Sequence, residues 1–256
     1  MCLILFTWNA HPRYRLVVAA NRDEFHRRRT RALARWSDLP VIGGRDVLAG
    51  GTWMGIHAET PARAAMVTNV RVGPAKRLGV RSRGELPVDF LLGAGTPESF
   101  ALAARADAAD FDPVNLLVAD EAQMWWMTNR PEPRAERVSD GVHGLSNGAL
   151  DSDWPKVTDG AAAMAVLVQA DSGAESSVEP YLELLADQRR PDKARLPDTG
   201  VPKAFEADLS PIFVNMPGYG TRASTVLRVG YDGHGDITER RYGWRGRQRG
   251  TTTVRF

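Results

Sequence analysis

The segment that most restricts this chain is the one that opens it. Cys2 to Trp8 is apolar at both alternating sets of positions, with Cys2, Ile4, Phe6 and Trp8 in one and Leu3 and Leu5 in the other. A strand with that pattern must be covered on both faces. Asn9-Ala10-His11-Pro12 reads as a turn and Arg15 to Ala20 as a returning strand, so the chain begins with a β-hairpin inside a layered fold. Residue numbers of antiparallel partners sum to a constant. If Trp8 faces Arg15 or Leu16, then Cys2 faces Asn21 or Arg22, and Asn21-Arg22-Asp23-Glu24 lies beside the cysteine.

Strand-like runs recur at Thr52 to His57 and Ala64 to Asn69, and at Val114 to Ala119 and Met124 to Thr128, as two further antiparallel pairs. A last hairpin joins Thr225–Tyr231 to Ile237–Tyr242 through Asp232-Gly-His-Gly. Helices are predicted at Gly84 to Leu92, from Thr96-Pro97-Glu98 to about Ala109, and from Asp153-Trp-Pro to Gln169. Another, Tyr181 to Gln188, follows a capping box at Ser176-Ser-Val-Glu179, and Arg190 to Asp208 reads as an irregular surface loop. The order of strand blocks and helix pairs predicts one α+β domain over residues 1–256, with antiparallel sheets and helices packed outside.

With 256 residues, 43% of them hydrophobic, the chain can bury a large core, and it has no apolar run long enough to span a membrane. The apolar start lacks a preceding basic residue and is broken by His11-Pro12-Arg13-Tyr14-Arg15, which predicts a retained, cytoplasmic N-terminus. One cysteine excludes an internal disulfide framework and fits a reducing compartment. The five histidines show no zinc-protease spacing, so no metal and no cofactor is expected. Acidic and basic residues are interspersed, 31 against 33, without a nucleic-acid-binding motif, which argues against a nucleic-acid partner. The 29 arginines against four lysines point to a GC-rich, bacterial-style genome.

Position two gives a cysteine a chemical option. Initiator Met is commonly removed before a small residue, and Cys2 would then carry a free α-amine. The reference pKa of that amine, about 7.7 to 8.0, lies close to the thiol's, about 8.5. One residue can then supply both nucleophile and proton acceptor. Without its neighbours, Cys2 reads as a small hydrophobe in a core strand. The hairpin brings Asp23 to hold a protonated amine, Arg22 to favour the thiolate and Asn21 as an amide donor. Asn69, in Met66-Val-Thr-Asn69, and Asn147, in Gly144-Leu-Ser-Asn147, end strand-like runs and can donate to an oxyanion, although each also suits a turn. Gly50-Gly51 permits a tight turn or close backbone approach. Trp53 reads as core or as the wall of a substrate pocket, and Arg222 as a reader of a substrate anion or a surface ion pair.

Met-Cys-Leu-Ile, Asn21-Arg22-Asp23-Glu24, Gly51-Thr-Trp53, Thr68-Asn69-Val-Arg71, Ser82-Arg83-Gly84, Gly144-Leu-Ser-Asn147 with Trp154-Pro155-Lys156, and Gly220-Thr-Arg222 together resemble the NRDE family, also called the transport and Golgi organisation protein 2 family. That family resembles N-terminal nucleophile hydrolases of the choloylglycine hydrolase and penicillin V acylase type. The resemblance implies a four-layer αββα sandwich, with Cys2 as nucleophile, Asp23 as partner of the α-amine, Asn69 as oxyanion donor and Asn147 as a further polar group of the site. Those hydrolases carry Arg-Asn-x-Asp, whereas this chain has Ala20-Asn21-Arg22-Asp23, with the guanidinium displaced to Arg22. Two functions follow from the resemblance: an amidohydrolase acting on a small, partly apolar substrate, or a non-catalytic carrier of haem or a lipid-like ligand. A structural partner in trafficking is a third.

Overall fold

A computed structural model describes residues 2–60, 62–73, 79–173 and 176–256. Met1, whose removal the reading of Cys2 as an N-terminal nucleophile expects, lies outside the described residues. In chain order the elements are β1 Cys2–Trp8, β2 Tyr14–Phe25, β3 Thr30–Arg35, β4 Val41–Asp46, β5 Met54–His57 and β6 Ala64–Asn69; then α1 Glu85–Leu92 and α2 Pro97–Ala106. They continue with β7 Val114–Ala119, β8 Met124–Thr128, β9 Arg134–Arg137 and β10 Gly141–Leu145, then α3 Pro155–Ala170, α4 Glu179–Leu185 and α5 Lys203–Leu209. β11 Asn215–Met216, β12 Tyr219–Gly230, β13 Gly235–Tyr242 and β14 Gln248–Arg255 complete the chain.

The strands form two antiparallel sheets. One runs β10-β1-β2-β12-β13-β14, with β11 on β12, and the other runs β3 to β9 in sequence order. Three apolar layers separate four structural ones. Ile4, Phe6, Trp8, Leu16 and Val18 meet Ile42, Met66, Leu117 and Trp126 between the sheets. Leu3 and Leu5, on the other face of β1, pack with Met164, Tyr181 and Leu182 under α3 and α4. Val41, Ala65 and Leu116 pack with Phe90 and Ala101 under α1 and α2. The arrangement is a four-layer αββα sandwich, and β1 is covered on both faces because both sets of its side chains are apolar.

The hairpin register resolves to Trp8 opposite Leu16 and Cys2 opposite Arg22. The expected pairs β5–β6, β7–β8 and β12–β13 form, with β5 starting at Met54 instead of Thr52 and β12 extended back to Tyr219. Thr96 caps α2, accepting from the Ser99 N–H at 3.2 Å. Some expectations fail. The capping box does not form: Ser176 accepts from the Ser172 N–H, and only Ser177 bonds to Glu179 N. The segment 190–208 is not wholly irregular, since a short 3₁₀ turn and α5 occupy part of it. No helix among the described residues is long and apolar enough to cross a membrane.

Candidate functional site

β1 has β10 on one side only as far as Ile4 opposite Leu145. Beyond that point the sheets part, and the ends of β1 and β2 face the Asp46–Trp53 turn and the end of β6 across a cleft of about 470 Å³. Cys2, Arg22, Asp23, Trp53, Asn69 and Tyr219 line it. Gly50 and Gly51 make the turn that brings Trp53 there. Gly50 has φ +76°, and a Cβ on Gly51 would lie 2.2 Å from the Gly84 carbonyl oxygen.

Being cross-strand partners, Cys2 and Arg22 present their side chains on the same face. The Arg22 guanidinium carbon lies 4.4 Å from the centroid of Trp53, a cation–π contact, and Nη2 is 3.3 Å from Asp46 Oδ2 and 3.7 Å from Glu24 Oε2. Asp46 also accepts from Arg28 Nε at 2.6 Å and from the backbone N–H groups of Leu48 and Ala49. Burial alone would raise its carboxyl; those donors and the nearby Arg22 charge hold it below the usual carboxylate range.

Asp23 points to the other side of β2, where Thr221 Oγ1 donates to it at 2.7 Å and the Tyr219 hydroxyl donates to its backbone carbonyl. Burial pushes its carboxyl up, opposed first by the buried cation of Lys156, then by the chain's amino terminus and the Thr221 hydrogen bond. Lys156 Nζ donates to the Leu209 carbonyl at 2.8 Å, and burial brings its pKa down to about 8. The Cys2 thiol is likewise pushed up by burial, against the pull of the positive terminus and Arg22. Cys2 therefore rests as the thiol. Its carbonyl accepts from Ser146 Oγ at 3.0 Å.

The structure thus brings Cys2, Arg22, Asp23, Asn69 and Trp53 to one cleft. Three other candidates are placed differently. Asn147 is fully buried and donates through Nδ2 to the Asn69 carbonyl at 2.7 Å, so it holds Asn69 and leaves the cleft wall to it. Asn21 turns to the helices, donating to the Leu185 and Ile212 carbonyls and accepting from Ser224. This corrects its reading as a substrate-binding amide. Arg222 is corrected too. A β-bulge skips it in the β12–β2 register, and its Nη1 donates to the carbonyls of Phe25, His26 and Arg28, fastening a turn. Asp46 and Tyr219 line the cleft without having been signalled by any local motif, and Lys156, present in the Trp154-Pro155-Lys156 motif but given no role there, places its charge near Asp23. Among the described residues no His, Cys, Asp and Glu group could hold a metal ion.

The fold and the site together define a four-layer αββα sandwich whose one cysteine opens a strand at the mouth of a cleft. Within that architecture the chain belongs to a named family. Its residues 1–243 match the Transport and Golgi organisation 2 family. It is 33% identical to the Transport and Golgi organization protein 2 homolog of Bos taurus and 30% to that of Homo sapiens, each over 94% of this chain and 92% of the relative. The Drosophila melanogaster Transport and Golgi organization protein 2 is 28% identical over 90% of this chain and 88% of its own length. A solved Caenorhabditis elegans N-acylethanolamine-hydrolyzing acid amidase ortholog covers 82% of this chain and 98% of its own, at TM-score 0.40 and 12% identity.

Proposed function

We propose that this chain is a cytoplasmic N-terminal cysteine amidohydrolase that cleaves a non-peptide C–N bond of a small, partly apolar substrate. The observation that carries this reading is the meeting at one cleft of Cys2, the Arg22 guanidinium and the side chain of Asn69, which makes no hydrogen bond of its own among the described residues, with the buried Asp23 carboxyl behind them on the other face of β2. With Met1 removed, the α-amine takes the thiol proton as sulfur bonds to the substrate carbonyl carbon and the carbonyl π pair moves onto oxygen. Asn69 donates to that oxygen. Collapse breaks the C–N bond, and the leaving nitrogen takes the proton from the ammonium. Water then adds to the thioester with the amine again as base, releasing the acid and restoring the thiol. Asp23 holds the ammonium, and Arg22 favours the thiolate.

Intact-mass measurement of the purified protein, combined with hydrolysis of a panel of N-acyl amides by wild type and Cys2→Ala, tests the reading. Loss of Met1 and turnover abolished in Cys2→Ala are expected; Met1 retained on most molecules would defeat the mechanism. Saturable haem binding that survives Cys2→Ala, in a protein with no turnover, would replace hydrolysis with the carrier function.

A further inference from the structure

Arg22 is the one cleft cation carrying a buried guanidinium nitrogen, Nη1, that has no hydrogen-bond partner among the described residues. Its side chain is only 7% exposed. A buried charged donor without an acceptor is costly to keep and calls for a partner that the resting chain does not supply. A second, independent feature lies at the same place. Beneath the cleft is a void of about 10 Å³, room for one oxygen atom or one water, and Cys2, Arg22, Trp53 and Val67 line both spaces. The rest of its wall is apolar apart from Asn21, whose amide is committed to the helix side, and Thr225. A stable water needs two to four polar partners, and this wall is poor in them.

We infer that this void is the oxyanion pocket of the reaction, with Arg22 as its charged donor. The inference rests on the nucleophile reading above and extends it: Arg22 touches the reacting oxygen as well as biasing the thiol. A carbonyl carbon seated over Cys2 in the cleft can drop its oxygen into the void. As sulfur bonds to carbon and the π pair moves onto oxygen, the new negative charge forms beside a guanidinium in surroundings that screen it weakly. Asn147, committed to the Asn69 carbonyl, is replaced as second donor by Arg22.

Trifluoroacetone adds reversibly to a thiol and gives a tetrahedral oxyanion, whereas iodoacetamide alkylates a thiol without forming one. Protection of Cys2 from iodoacetamide by trifluoroacetone, with the adduct followed by fluorine NMR, therefore separates the oxygen from the sulfur. Arg22→Met is expected to keep the limiting alkylation rate at high pH while weakening trifluoroacetone protection by at least about tenfold. Should Arg22→Met fold poorly, Ala20→Val keeps the guanidinium and fills the void from its wall, and the same loss is expected. Arg22→Met or Ala20→Val protected as well as wild type overturns the oxyanion pocket and leaves the nucleophile standing. A wild type that reacts with neither reagent removes both.

Discussion

Arg22 is held by partners of three kinds, a ring, a carboxylate at 3.3 Å and a longer ion pair, and of its two carboxylates Asp46 is the one removable without touching the β1–β2 pair that carries Cys2. Asp46→Ala leaves two cations facing each other and frees the Leu48 and Ala49 amides, so it should cost about 2–4 kcal/mol of unfolding free energy in urea. Asp46→Asn, which can still accept from those amides, should cost less. His143 gives a pH test away from the cleft. Burial alone would lower it, but the 2.7 Å contact with Asp151 outweighs burial and raises it above 6.5. The stabilisation is then full below the ordinary histidine value and fades as pH rises through the raised one. Asp151→Asn should therefore lower the melting temperature relative to wild type more at about pH 5.5 than at about pH 8. Arg22 and Asp23 were legible because they share a hairpin with Cys2, so register arithmetic reaches them. Asp46 was not, because it arrives from the opposite sheet, and no local pattern states which sheet ends will face each other. Asn21, Asn147 and Arg222 were read as donors to a ligand because a residue type reveals capacity; their actual acceptors, main-chain carbonyls far along the chain, are a tertiary fact.

At the scale of elements, β1 is exposed to fraying where β10 leaves it, and the Ser146 hydroxyl takes the place of the missing ladder hydrogen bond. Thr68 and Asn115 of the second sheet in turn bond the Ser146 carbonyl, so the two sheets are joined directly behind Cys2. Ser146→Ala should cost about 1–2 kcal/mol and speed amide hydrogen exchange at Leu3 and Ile4 while leaving the middle of β2 protected. The Gly51–Gly84 approach fixes the Trp53 wall just as closely. Gly51→Ala has backbone against it, and an overpacking cost of about 1–3 kcal/mol is expected by urea denaturation. The strands read correctly were those with strong apolar content, such as β6 and β7. β3, β9 and β14 escaped because a sheet edge buries little: in β3 only Leu33 is fully covered, and β14 alternates exposed and half-buried residues through Thr and Arg. α5 escaped because its start follows Pro202 in a charged stretch that resembles a loop.

For the whole molecule, the four layers depend on few cross-sheet ties, and β14 makes some of them. It lies beyond the family-matched residues, yet Val254 and Phe256 pack on the inter-sheet core and β14 reaches β3 of the other sheet. Ending the chain after Tyr242 should bare the long β13 edge, lower the melting temperature and raise light scattering at the transition, whereas Phe256→Ala alone should do the first without the second. The order of layers also bears on synthesis. The hairpin holding Cys2 and Asp23 is made before the residues that fix it: the Ser146 hydroxyl on the cysteine carbonyl is 144 residues away and the Thr221 hydroxyl on Asp23 is 198 residues away. The surroundings of Cys2 and Asp23 therefore stay incomplete in a nascent chain until Ser146 and then Thr221 have been made.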